Sequence, residues 1–525
     1  CGARLGSRRK GRAADMVGQR SRSCEDTVEA LRSMEPEQRL QAIRDVKNQI
    51  IGNRTRKVTY INLGAIPLVA DILATDTESA LLVQSAATIG SFACGVEDGV
   101  KAVIGVGAVP HLLKTLLNKD EKVVEAGARS LKMIFQSPLA PKAEMFAEGA
   151  LELMMRLLAS SNDQVAEVAA AVLARCCETK DEQSRIVGLG AFPGLLRILS
   201  SHSARGQEAA LAALAALTRD NATLSSRLLE EGLSTDQMLK LAKDKDPRRR
   251  IYACMILANV SGAGAMMAQR VDEIGALVLP TVVKLLGEGE GVGDEAPRVL
   301  ASLIRDNEEL QLAAADADAI NKLAHFLKEG ARATARLRES TLLALGALCS
   351  VREESRRQLV AAGSVPAIVR MMEDEDAGVR AAACLCAKSL SRSVKNLREV
   401  LVETPVVDPL LRLLSDSDPS VQASASATLC NMVLEFSPMK DKVLQAGGVQ
   451  KLAVLARSSD PALRLNSMWA LRNMLYHADS AVKETVLREL SWPMLSSLLH
   501  DPEVEIQEQA LNLLRNLVHG SPADI

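Results

Sequence analysis

Aromatic residues and net charge are both scarce in this 525-residue sequence. Aromatics make up 2% of it, although 48% of its residues are hydrophobic. Burial therefore depends on Leu, Ala and Val, and Leu and Ala are among the best helix formers.

The 63 Lys and Arg nearly balance the 65 Asp and Glu, giving a net charge of -2, which argues against a nucleic-acid-binding protein. No apolar run approaches the length of a membrane-spanning helix. The chain is also longer than one compact core, so it predicts either several domains or an elongated repeat protein.

Catalytic and metal-binding patterns are missing as well. The glycines of GEGEGVGD (287–294) follow a helical pattern and lack the Lys-Ser/Thr of a phosphate loop. The histidines form no HExxH or HxxxH pair, and neither Cys384-x-Cys386 nor Cys176-Cys177 has the spacing or partners of a metal site. No Gly-x-Ser-x-Gly elbow is present. The sequence predicts no catalytic residue, metal, cofactor or small-molecule ligand, and the cysteines are expected to be reduced packing residues.

A Gly-Ala-apolar-Pro mark recurs along the chain. It reads GAIP, GAVP, GAFP and GSVP, and weaker copies also occur. The steps are 41 to 43 residues from Gly64 to Gly275, then 88 residues, which are two repeats with a small insertion, and then 84, which are two more repeats. Glycine at this place suits the left-handed end of a preceding helix. The strong copies begin at Gly64, Gly107, Gly190 and Gly363, and the weaker ones at or around Gly149, Gly232, Gly275 and Gly447.

A second mark, Asp-Pro, keeps the same step at Asp418, Asp460 and Asp501. Asp at the N-cap followed by Pro at the first helical position is a helix start. The apolar residues of 421–433 then recur at helical spacing. Each repeat thus predicts a short helix, a second helix opening at the glycine mark and a longer third helix. Three helices in about 42 residues are typical of armadillo repeats, so we expect an all-α superhelical solenoid of about eleven repeats with a concave groove.

Four segments are expected. Residues 1–37 form a basic leader, predicted to be disordered, whose first 24 residues carry seven Lys or Arg against one acid. Within it, RRKGR (8–12) matches a nuclear-import signal or part of a transit peptide. Regular repeats fill 38–285, loop insertions make 286–340 irregular, and further repeats occupy 341–525. These last are expected to continue past the final residue, because no polar capping repeat is visible.

Asparagines recur in register on the predicted third helices. Asn431, Asn473 and Asn516 are 42 and 43 residues apart, and Trp469 and Asn512 precede the last two by four residues, on the same helix face. Such a column can hydrogen-bond an extended peptide, with Trp469 as an apolar wall, or it can tie adjacent repeats together. The predicted partner-binding groove comprises Asn431, Trp469, Arg472, Asn473, Asn512 and Asn516.

Several stretches resemble, in the same order, the family of armadillo repeat-containing protein 8. They are AIRDVKNQIIGNRTRKVTYINLGAIPLVADIL (42–73), SLKMIFQSPLAP (130–141), SLSRSVKNLRE (389–399), LCNMVLEFSPMKD (429–441) and DPALRLNSMWALRNM (460–474). The resemblance implies the scaffold subunit of a CTLH/GID ubiquitin ligase, which bridges the RING subunits to a β-barrel substrate receptor. The resemblance also implies that the receptor's tail lies in the groove and that other subunits carry out catalysis. It further implies a cytoplasmic and nuclear location.

Two alternatives stay open: an importin-α-like transport adaptor and a catenin-like signalling adaptor. The Trp469–Asn473 pair resembles one pair of the importin-α array, but that array repeats the pair along the groove and places acids beside it. Arg472 and Arg515 would instead repel a basic peptide. A catenin-like groove would carry Lys and Arg along many repeats.

Overall fold

The structure, a computed structural model, describes residues 23–520 except 148, 265, 267, 290, 329–332, 394–398 and 435–436. Helices are the only regular elements in this part of the chain, which confirms the all-α prediction. The contacts divide the chain into two units, Cys1–Leu233 and Ser234–Ile525. No single helix among the described residues is long and apolar enough to cross a membrane, although one pair of helices bent by 76°, Arg54–Asn62 and Ala65–Thr75, meets those criteria together.

The first unit contains helices α1 to α14 and one 3-10 helix, Lys142–Phe146. The α-helices are α1 (Cys24–Ala30), α2 (Pro36–Ile50), α3 (Arg54–Asn62), α4 (Ala65–Thr75), α5 (Ser79–Ala93), α6 (Glu97–Gly105), α7 (Ala108–Thr115), α8 (Glu121–Phe135), α9 (Ala150–Leu158), α10 (Asp163–Cys176), α11 (Lys180–Gly188), α12 (Ala191–Leu199), α13 (Ala204–Leu217) and α14 (Ala222–Glu230).

The second unit contains the remaining helices. They are α15 (Thr235–Leu241), α16 (Pro247–Ser261), α17 (Ala268–Leu285), α18 (Ala296–Ile304), α19 (Glu308–Asp316), α20 (Ala319–Lys328), α21 (Ala335–Val351), α22 (Glu353–Ala361), α23 (Val365–Met371), α24 (Ala377–Leu390), α25 (Leu401–Glu403), α26 (Val407–Leu413), α27 (Pro419–Met432), α28 (Met439–Gln445), α29 (Gly448–Leu455), α30 (Pro461–Leu475), α31 (Ser480–Leu490), α32 (Trp492–Leu499) and α33 (Val504–Val518).

From α3 onward, except at α17 and α18, the helices follow one another as short, short and long, which is the predicted repeat; the 3-10 helix is the first element of the repeat that ends with α10. The turn between the first two helices of a repeat is made by the glycine of the first mark. Gly64 has φ +74°, a conformation that costs a residue with a Cβ. The other glycines with the same left-handed conformation are Gly107, Gly149, Gly190, Gly232, Gly363 and Gly447. The glycine mark therefore identified the turn correctly in these repeats.

Gly275 is the exception among the marks. It lies inside α17, which runs without a turn through the place where two helices would meet, and Pro280 lies within the same helix. A Cβ at Gly275 would stand 2.6 Å from Leu310 Cδ1 of α19. This glycine therefore permits close helix packing, and the prediction of a turn here was wrong.

Carboxylates start the third helices as predicted at two of the three Asp-Pro marks. Asp418 accepts a hydrogen bond from Ser420 N and Asp460 from Ala462 N, each at 2.8 Å, with proline at the first helical position. Such a cap contributes about 1 kcal/mol. At the third mark the prediction was wrong, because α33 begins at Val504 after an N-cap at Glu503.

The ends of several third helices are capped from the first helix of the same repeat. Lys440 Nζ donates to Tyr476 O at 2.9 Å and Lys483 Nζ to His519 O at 2.5 Å. In the first unit, Gln183 Nε2 donates to Ala216 O at 3.0 Å. The last carbonyls of a helix have no partner within it, so these bonds attach the first helix of a repeat to its third.

Third helices of successive repeats pack directly on one another in each unit. The contact is close at Gly90 of α5, where an added Cβ would lie 2.9 Å from Ser130 Cα of α8. Ser130 Oγ also donates to Ala86 O at 2.7 Å. Small residues therefore allow α5 and α8 to pack closely.

Two predicted segments need correction. Residues 1–22 of the predicted leader lie outside the described residues, but Cys24–Ala30 form α1, whose N-cap Ser23 exchanges hydrogen bonds with Asp26. The ordered part therefore starts before residue 38. The departure from the regular repeat begins upstream of the predicted segment 286–340, because α17 already merges two helices. Within that segment, the described residues of 286–295 belong to no helix, where a loop insertion was predicted, and the second predicted insertion includes residues 329–332, which lie outside the described residues.

Candidate partner-binding site

The predicted site residues lie on one row of helices in the second unit. Helices α24, α27, α30 and α33, here called the third-helix row, pack on one another in that order. Asn431 lies on α27, residues 469, 472 and 473 lie on α30, and residues 512 and 516 lie on α33. The 42-residue register therefore places all six on three adjacent helices.

The asparagine column ties each helix of the row to the one before it. Asn473 Nδ2 donates to Cys430 O at 3.0 Å and Asn516 Nδ2 to Arg472 O at 3.0 Å. Asn431 Nδ2 makes the equivalent, longer bond to Lys388 O at 3.4 Å. Each acceptor lies in the last turn of its helix, where carbonyls lack intrahelical partners.

Burial agrees with that structural role. Asn473 and Asn516 are 7% and 6% exposed, whereas Asn431 and Asn512 are half-buried. Of the two roles that the sequence left open, the structure thus displays the tie between repeats. Hydrogen bonding of these amides to a peptide stays a prediction.

Trp469 differs from its neighbours because it is 43% exposed. It stands one turn before Asn473 on α30, and the Arg472 guanidinium carbon lies 5.5 Å from the centre of its ring. An arginine at that distance over an indole makes a cation–π contact. The ring, which Arg472 contacts, therefore presents a partly exposed apolar surface on the third-helix row.

Arg472 is held by neutral groups. Its Nη2 donates to Asn473 Oδ1 at 2.8 Å and its Nη1 to Gln509 Oε1 at 2.7 Å. Burial lowers the pKa of this guanidinium, and the neighbouring Arg515 lowers it further. Gln509 of α33 is the other acceptor for Arg472, and the sequence analysis missed it. Its position on the third helix of the next repeat is the signal that could have found it.

The sequence analysis also missed a clamp between repeats. Arg464 Nε and Nη2 lie 2.7 and 3.0 Å from Asp501 Oδ2 and Oδ1. Two repeats earlier, Arg380 binds Asp416 through two hydrogen bonds of 2.8 Å each. Asp501 therefore has the role of Asp416 rather than that of the helix cap Asp418. The signal was present as an Arg or Gln at steps of 42 or 43 residues, at Arg338, Arg380, Gln422, Arg464 and Gln507.

The cysteines and acids of the described residues offer no metal centre, since no group of three or more His, Cys, Asp or Glu side chains is placed to hold an ion. Burial raises the pKa of the Cys254, Cys349, Cys384 and Cys430 thiols to about 12, so these thiols stay protonated at neutral pH. They pack inside helices as predicted.

A cavity of about 280 Å³ lies in the first unit and is lined by Phe146, Leu151, Arg185 and Leu189 among others. Arg185 lies over the Phe146 ring at 4.9 Å and its Nη2 donates to Phe146 O at 3.1 Å. None of the predicted site residues lines this cavity.

Comparison with known proteins agrees with the repeat architecture. The family model "Armadillo/beta-catenin-like repeat" matches residues 395–434 and 436–476. Over 522 residues the chain is 30% identical to armadillo repeat-containing protein 8 of Mus musculus, covering 94% of this chain and 77% of that protein. It is 31% identical over 189 residues to GID complex subunit 5 of Schizosaccharomyces pombe, covering 31% and 24% of the two chains. A solved engineered protein, 24% identical, superimposes with a TM-score of 0.50 over 78% of this chain and 98% of its own.

Proposed function

This chain belongs to the armadillo repeat-containing protein 8 family, and on that premise we propose that it is a non-catalytic scaffold subunit of a CTLH/GID-type ubiquitin ligase. In this role it docks the substrate-receptor subunit and holds it near the RING and CTLH subunits. Substrates bound by the receptor are then ubiquitinated by those subunits and degraded by the proteasome.

The observation that carries the proposal is the match of 94% of the chain to armadillo repeat-containing protein 8. A shorter match to a relative named as a subunit of the GID complex points to the same assembly. The helical repeats supply extended surfaces for protein partners. The sequence carries no local motif of a catalytic centre, which supports a scaffold rather than an enzyme.

Within the chain, the third-helix row around Trp469 is the proposed docking segment for the receptor's tail. Its exposed indole supplies apolar contact, and large aromatic side chains often dominate the energy of an interface. The basic residues beside it, Arg472 and Arg515, disfavour the basic cargo peptides of an importin-α-like adaptor. The same proposal places the protein in the cytoplasm and nucleus, which fluorescence microscopy of the tagged chain would test.

Affinity purification of the full-length tagged protein, followed by mass spectrometry, tests membership of the complex. The proposal predicts recovery of RING and CTLH subunits together with a substrate-receptor subunit. Recovery of importin-β or of cadherin-type partners, without those subunits, would contradict it.

A further inference from the structure

Arg472 is a half-buried cation whose described partners are all neutral. Its Nε and Nη2 share Asn473 Oδ1, at 3.3 and 2.8 Å, and its Nη1 binds Gln509 Oε1 at 2.7 Å. These bonds use three of the five N–H groups of a guanidinium. One N–H on each terminal nitrogen is left for another acceptor, next to the open face of Trp469.

A second cation stands beside the first. Arg515 of α33 is exposed and lowers the pKa of Arg472 by its charge. Its own contact is a long one, from Nη2 to Asn516 Oδ1 at 3.5 Å, near the limit of a hydrogen bond. Within the part of the chain that the structure describes, no carboxylate lies within ion-pair distance of either guanidinium.

Two other arginines of the same helix row do have a carboxylate partner. Arg464, two turns earlier on α30, is paired with both oxygens of Asp501. Arg380 of α24 is paired in the same way with Asp416. These two arginines bind carboxylates, whereas the described hydrogen-bond partners of Arg472 and Arg515 are amide oxygens.

A half-buried positive charge is stabilised by a negative partner when its amide neighbours leave N–H groups free. No described carboxylate supplies that partner, so another molecule can supply it, and the indole next to the Arg472 guanidinium favours an apolar group beside the anion.

We propose that Arg472 and Arg515, together with the exposed ring of Trp469, form a docking site for an extended peptide segment of a partner protein in which a carboxylate stands beside an apolar side chain. The carboxylate binds the two guanidiniums and the apolar side chain packs on the indole. This inference rests on the proposed function only for the idea that a partner's tail docks on this row. The chemistry of the tail follows from the charges.

Selection of a phage-displayed library of random twelve-residue peptides on the purified full-length chain tests the proposal. We expect the enriched peptides to carry Asp or Glu, or a free C-terminal carboxylate, next to an aromatic or aliphatic residue. Enrichment of basic peptides, or enrichment that is equal on a Trp469→Ala chain, would overturn it, as would no enrichment at all.

The most enriched peptide, made synthetically with a fluorescent label, then gives dissociation constants by anisotropy. Arg515→Gln and Arg472→Gln should each weaken binding about tenfold or more, because each removes one partner of a desolvated charge pair. Replacing the peptide's acid by its amide should weaken its binding to the wild-type protein by the same factor as the arginine substitutions do. The same replacement should weaken binding to the arginine variants less. Arg488→Gln, at an exposed arginine of α31 outside the third-helix row, is the matched control and should bind like the wild type.

Two readouts keep the outcomes apart. Thermal melts followed by circular dichroism check folding, and Arg515→Gln decides the matter if Arg472→Gln unfolds, since Arg515 makes only the long contact. Acidic–apolar peptides selected by a chain that recovers no ligase subunits would leave this inference standing and the proposed function rejected. If the chain recovers ligase subunits but selects basic peptides, the proposed function stands and this inference is rejected.

Discussion

At the scale of single residues, Asn473 and Trp469 are four residues apart but have different tasks. Asn473 is buried, bonded to Cys430 O of the preceding repeat and to the Arg472 guanidinium, while Trp469 is half open to solvent. The register alone placed both in one predicted site. It could not show that the amide points back to its own chain, because that depends on the position of a carbonyl one repeat earlier.

Asn473→Ala is therefore expected to destabilise the protein by about 1–3 kcal/mol, since it removes the amide partner of the Cys430 carbonyl and one partner of the half-buried Arg472 guanidinium. Chemical denaturation followed by circular dichroism measures this loss. Trp469→Ala serves as the comparison and should change stability by less. A larger loss for Trp469→Ala would mean that the indole is a core residue.

At the scale of helices, Gly90 of α5 packs tightly against Ser130 of α8. Gly90→Ala is expected to destabilise the first unit by about 1–3 kcal/mol, because the new methyl group would meet the Ser130 backbone at 2.9 Å. Gly105→Ala, at the end of α6, adds its methyl group to open space and should be neutral or slightly stabilising. Equal losses for the two variants, measured by thermal melts, would contradict this packing.

The arginine clamps make a second prediction at this scale. Hydrogen bonds from Arg464 and Arg380 hold the pKa of the Asp501 and Asp416 carboxyls below their usual value. An unfolded Asp titrates near about pH 3.9, so the stability from these pairs is complete above that pH. It is lost as the pH falls through the lower pKa of the folded state.

Asp501→Asn should accordingly lower the melting temperature at pH 7, and the gap to the wild type should shrink as the pH falls below about 4. Melting curves of both proteins between pH 7 and pH 3 measure the gap. A gap that stays constant over this range would show that the carboxylate charge at Asp501 does not contribute.

The errors of sequence interpretation also lie at the scale of elements. Asp501-Pro502 has the letters of a helix start, but it stands 41 rather than 42 residues after Asp460, and the structure uses Asp501 as the clamp instead. Gly275 has the letters of a turn, but it lies inside α17, where an added Cβ would stand 2.6 Å from Leu310 Cδ1 of α19. In both cases a tertiary partner decides, and the partner is invisible in a short motif.

At the scale of the whole molecule, the sequence was most informative. A period of about 42 residues, left-handed glycines and Asp-Pro helix starts together predicted three-helix repeats in both units, because each mark corresponds to a local backbone requirement. The identity of the partners could not be predicted from these local marks. It rests on family membership, and the contacts that would bind them depend on exposure, which periodicity does not determine.

The central claim is that the third-helix row at Trp469 docks the substrate-receptor subunit of the ligase. The two tryptophans of the chain provide the test, because both are exposed, Trp469 on α30 and Trp492 at the start of α32. We expect Trp469→Ala to reduce receptor capture by the full-length protein tenfold or more, about the loss of an interface anchor of roughly 2 kcal/mol, while RING and CTLH subunits are still recovered. Trp492→Ala should capture the receptor like the wild type. Quantitative co-purification that shows equal receptor capture by Trp469→Ala and the wild type would contradict the account.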